Sequence, residues 1–102
     1  MKKLTKLNML RADLELIDTI MVSLLAKREK MVLKIEKIKR KMGGPVTDRA
    51  LENKRIAMAK ETAKKLGMDY WFQRFIEKLF HKIIVHCRKL EEKQRRRAGR
   101  KI

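Results

Sequence analysis

Residues 4–42 read LTKLNMLRADLELIDTIMVSLLAKREKMVLKIEKIKRKM, and their spacing decides the fold. Apolar side chains recur at Leu7, Leu10, Leu14, Ile17, Met21 and Leu24, then at Met31, Ile35, Ile38 and Met42. Steps of three and four alternate throughout, the period of a helix that packs through a narrow seam against other helices. One seam position holds a charge, Arg28. Nothing interrupts the pattern before Gly43-Gly44-Pro45. At 1.5 Å per residue such a helix is about 60 Å long, roughly twice the width of a domain of this size. Its own chain cannot cover it, so a second copy lying alongside is expected.

Outward from that helix, the Gly43-Gly44-Pro45 stretch stops it, and Thr47 or Asp48 is placed to cap a second helix with Glu52 in its first turn. The second helix ends at Gly67, with Leu51, Ala59, Ala63 and Leu66 as its expected apolar face, flanked by Ile56 and Met58. A third starts from Asp69 and carries Phe72, Phe75, Ile76, Leu79, Phe80, Ile83, Ile84, Cys87 and Leu90 before fading at Gln94. The predicted class is all-α: one very long helix, one short and one medium, in an intertwined homodimeric bundle. Residues 1–94 form the helical domain, and residues 95–102 read as a solvated basic tail that is dispensable for chemistry.

Composition sets further bounds. The chain has 102 residues and is 44% hydrophobic, near the lower limit for a self-sufficient core, which again favours oligomerisation. A single cysteine and no leader-like start point to a reducing cytoplasm, and no apolar run reaches the roughly 20 residues of a membrane span. The net charge of +17 attracts polyanions. A basic helical nucleic-acid-binding module would account for it directly. Lysine and arginine are nevertheless spread along the whole chain, and the one dense run, Arg95 to Lys101, lies in the tail. Nucleic acid is therefore expected to bind only non-specifically, through that tail.

A lone arginine in an apolar seam calls for a partner, either a nearby glutamate or a bound anion, unless its side chain snorkels out to water. Lys39 follows Arg28 by eleven residues, about three turns, so both project in nearly the same direction roughly 16 Å apart and can grip two ends of one small anion. Arg11 lies about 25 Å from Arg28 along the same helix, and only an antiparallel partner could bring it in.

These residues carry a family likeness. Leu10-Arg11, Ile17-Asp18, Leu24-Leu25-Ala26-Lys27-Arg28, Ile35 to Lys39, and Pro45-Val46-Thr47-Asp48 with Glu52, continued by Phe80, Ile83-Ile84, Cys87-Arg88 and Glu91, resemble the all-helical chorismate mutases over about residues 4 to 94. The resemblance implies conversion of chorismate to prephenate in a homodimer without metal or organic cofactor. It implies that Arg11 is donated from the other subunit to a substrate carboxylate and that Arg28 holds a carboxylate in the home site. Lys39 would meet the ether oxygen and a carboxylate, Asp48 and Glu52 would sit near the substrate hydroxyl, and Cys87 and Glu91 would complete the pocket, although a cysteine there also reads as a packed core thiol. Glu91 stands where the family often has glutamine, and beside the ether oxygen it helps only as the neutral acid, since an ionised carboxylate donates nothing.

Two departures stand out. Leu51 occupies the place of a usual arginine, for which Arg49 or Arg55 could substitute. The third-helix alignment also needs about three extra residues around Tyr70 to Phe75, without which Ile84 and Arg88 would take the places of Cys87 and Glu91. An isochorismate pyruvate lyase of the same fold uses similar cations, and the long-helix residues do not separate the two activities.

Overall fold

The computed structural model describes residues 2–100. They form three α-helices, α1 (Lys2–Lys41), α2 (Arg49–Lys65) and α3 (Tyr70–Arg100), and no strand among the described residues. The all-α class and the long, short, medium order are those expected from the sequence.

The helix ends follow from local chemistry. Gly43 N donates to Arg40 O and Gly44 N to Lys39 O, with Gly43 at a φ of 76°. This is a Schellman closure, whose left-handed residue favours glycine. α2 closes in the same way: Gly67 (φ 77°) N donates to Lys64 O, and Met68 N to Ala63 O. Of the two proposed caps for α2, Asp48 is the one used, its Oδ1 accepting from Leu51 N at 3.1 Å. Asp69 caps α3, accepting from Phe72 N at 2.9 Å.

Two compact units divide the chain after Met31. The first, residues 1–31, consists in its described part of α1 alone. Its seam residues Leu7, Leu10, Leu14, Ile17, Met21 and Leu24 are all exposed, Leu10 and Leu14 by more than half. Thr19 and Ser23 turn their hydroxyls back onto Glu15 O and Thr19 O within the helix.

The second unit, residues 32–102, contains the rest of α1 with α2 and α3. α2 and α3 run antiparallel: Glu52 meets Arg88, whereas Lys60, farther along α2, meets Glu77, farther back on α3. The end of α1 also opposes α3, with Lys39 on Glu91 and Glu36 on Arg95. Among the described residues, Ala63, Ile84 and Cys87 are the buried apolar ones, and Glu36 is fully buried as well.

Two expectations need correcting. The inward face of α2 is not Leu51, Ala59, Ala63 and Leu66. Leu51, Met58 and Leu66 are exposed, while Glu52, Ile56, Ala59 and Ala63 turn inward at steps of four, three and four. Choosing the face by apolarity alone discarded Glu52, which is half-buried because Arg88 pairs with it. Nor does α3 fade at Gln94. It continues through Arg100, and Arg95 is tied to Glu36 rather than left in solvent. Lys101 and Ile102 lie outside the described residues.

Candidate functional site

The second unit gathers its chemistry where the end of α1, the loop after it, α2 and α3 meet. Lys39 lies in the last turn of α1. Its Nζ donates to Glu91 Oε2 at 2.9 Å and to Val46 O at 3.0 Å. The Glu91 side chain is 12% exposed and that of Lys39 32% exposed, so the ammonium is partly open while its carboxylate partner is mostly covered. One turn back along α3, Arg88 grips Glu52 with both edges of its fork, Nη2 to Oε1 at 2.5 Å and Nε to Oε2 at 3.2 Å. This is the planar bidentate geometry in which arginine exceeds lysine. The hydrogen bond to Glu52 raises Arg88 above the usual arginine value against the opposing effect of burial, and the charges of Glu52, Glu92 and Glu91 add to the rise. Both ion pairs join α3 to another helix with side chains mostly withdrawn from solvent, where charge pairs interact more strongly than at a surface.

A third pairing lies beyond Glu91. Glu36 Oε1 accepts from Arg95 Nε at 2.6 Å, and Arg95 Nη1 donates to Gly44 O at 2.8 Å. Arg40 Nη1 stands 3.5 Å from Glu36 Oε2 as an ion pair without a hydrogen bond.

The residues proposed from sequence are divided between the two units. Arg11, exposed, and Arg28, half-buried, belong to residues 1–31. Lys39, Asp48, Glu52, Cys87 and Glu91 belong to the other unit, where Lys39 meets Glu91 and Glu52 meets Arg88. Asp48 is exposed and spends Oδ1 on capping α2. Cys87 is buried, as are Ile84 and Ala63. Leu51, Arg49 and Arg55 are all exposed on α2. Sequence reasoning did not anticipate the partnerships of Arg88, Glu36 and Arg95. A signal for them was present: Ile84, Arg88, Glu91 and Arg95 follow at steps of four, three and four, one continuous stripe of α3.

The family model described as chorismate mutase type II matches residues 10–92, a span that holds every one of these site residues except Arg95. The chain belongs to the chorismate mutase type II family. Its members are all-helical isomerases, and chorismate mutase activity is the activity of this chain in general terms. Comparison with curated proteins found no match. Comparison with solved structures found none either. In this chorismate mutase domain, Lys39, Glu52, Arg88 and Glu91 form the partly buried charged row of residues 32–102. Among the described residues no helix is long and apolar enough to cross a membrane.

Proposed function

We propose that the chain rearranges chorismate to prephenate as a cytoplasmic homodimer, with Lys39 as the cation at the breaking C–O bond. The observation that carries this reading is the Lys39–Glu91 pair, a half-open ammonium on a mostly covered carboxylate inside the matched region. In a concerted intramolecular rearrangement one C–O bond breaks as one C–C bond forms, and the ether oxygen gains negative character. No nucleophile, metal or organic cofactor is required. The site has to hold the dianion in its compact conformer and place donors where charge develops. Lys39 has a third N–H beyond those given to Glu91 and Val46, and the substrate's ether oxygen is its natural acceptor. Arg28 binds a carboxylate in the home site, and Arg11 of the second protomer binds the other. Asp48, Glu52 and Cys87 complete the contacts to the substrate ring and hydroxyl. Glu91 serves the ether oxygen by holding the Lys39 ammonium beside it.

The exposed seam of residues 1–31 supports the dimer, because apolar residues repeating over six positions of one helix seek cover. The residues that touch substrate are assigned to 1–94, and polyanions bind only non-specifically to the basic residues beyond Arg95, which is itself held by Glu36 and Gly44. Purified protein should consume chorismate, followed by its absorbance, with prephenate as the product. Pyruvate released from isochorismate instead, with chorismate untouched, would assign the chain to the lyase activity.

A further inference from the structure

Glu36 is the one described polar residue that is fully buried, and the proposed chemistry does not use it. A carboxylate in such a place persists only if cations and hydrogen bonds meet it. Its main partner comes from the segment read from sequence as a dispensable tail. Arg95 uses one edge of its fork on Glu36 Oε1 at 2.6 Å and another N–H on Gly44 O at 2.8 Å. Gly44 in turn closes α1, its N–H donating to Lys39 O at 2.8 Å. A Cβ on Gly44 would meet that same oxygen at ordinary contact distance, 3.4 Å. Two residues on, Val46 O accepts from Lys39 Nζ at 3.0 Å. Arg95 also follows Glu91, the other acceptor of Lys39 Nζ, by four residues on α3. Both acceptors that hold the ammonium are thus attached to the backbone that Arg95 clamps.

We infer that Arg95 is a positioning residue for Lys39, acting through Glu36 and Gly44. The inference rests on the proposal that Lys39 stabilises the developing charge. A lysine head on a flexible stem goes where its acceptors fix it, so loosening the Gly44–Val46 loop displaces it. The loss should fall on turnover rather than on substrate capture, which the arginines perform.

Arg95→Met alone would strand the buried Glu36 charge and could unfold the protein, so the principal variant is Glu36→Gln with Arg95→Met, which removes the charge and its partner together. The expected result is a folded protein whose melting temperature stays close to wild type, with kcat lowered roughly tenfold and KM within about twofold, because a misplacement far smaller than an ångström already weakens catalysis. A folded double variant with wild-type kcat, or one in which KM rises while kcat holds, would overturn the role. Should the pair fail to fold, Arg95→Lys keeps the charge facing Glu36 and gives up the planar fork that spans to Gly44. The same fall in kcat is then expected, and unchanged kcat overturns the inference. Wild-type protein without mutase turnover would instead overturn the proposed function, and this role of Arg95 with it.

Discussion

Arg88 and Glu52 each keep only 16% of their side-chain surface exposed, and each satisfies the other twice. Replacing Arg88 with Met leaves a mostly covered carboxylate without its two donors. Unfolding in urea should show a loss of about 2 kcal/mol, most of it recovered when Glu52→Gln is added. A double change whose loss equals the sum of the two single losses would show that the pair is not coupled. The pH dependence follows from the raised Arg88 value. A group whose pKa is higher in the folded state contributes its stability fully below the unfolded value and loses it only as pH rises through the folded one. For arginine that window is strongly alkaline, so the penalty of Arg88→Met should be flat through neutral and mildly alkaline pH. Lys39→Ala belongs to the same scale. It should lower kcat by at least about a hundredfold, the usual cost of removing one donor from developing charge, with the melting temperature showing that the fold survives. Candidate site residues could be named from the sequence because a lone Arg28 in a seam and a lysine three turns on lie on one helix face. Their partners could not: which carboxylate a cation meets depends on how α2 and α3 cross, and one sequence carries no direct record of that.

The helix boundaries were the most legible feature, since they are fixed by glycine and aspartate chemistry that acts within a few residues. Gly67 offers a clean check. It holds φ at 77°, and a Cβ placed there meets nothing within 4 Å. Gly67→Ala should therefore cost about 1 kcal/mol through backbone strain alone, measured by thermal or urea unfolding, without altering turnover. A neutral effect would mean that the turn readjusts freely. The face of α2 was misread for an equally local reason. Leu51 and Leu66 look like core residues, yet the helical period that buries Ala63 turns Glu52 and Ile56 inward and leaves both leucines exposed. Apolarity suggested a face, and the pairing of charges decided it. The length of α3 was missed because a basic run resembles a solvated end until a buried acid is found opposite it.

At the scale of the whole molecule, six exposed seam residues in residues 1–31 make the proposed homodimer the chief determinant of stability. The melting temperature should rise with protein concentration, and sedimentation at micromolar concentration should find no folded, fully active monomer. Shared sites make a sharper test. Arg11→Ala and Arg28→Ala proteins, each inactive alone, should regain activity on mixing, because a heterodimer holds one site with both arginines intact. No recovery after verified subunit exchange would refute donation of Arg11 across subunits. The expectation of a dimer comes from the seam itself, through its three-four spacing and its length, and the six seam residues are exposed in residues 1–31.

The contact between Glu36 and Arg95 has a consequence for how the protein is made. The acid is synthesised fifty-nine residues before the base that accommodates it. At roughly 5–20 residues per second, the ribosome leaves Glu36 without Arg95 for several seconds. During that interval Glu36 has Arg40 of its own helix but not its main partner, so its burial is expected to come late. Nascent chains arrested just short of Arg95 should be cut by protease around residues 32–46, and chains extended past it and released should resist. That outcome would make the last turns of the first helix built among the last parts of the protein to become native.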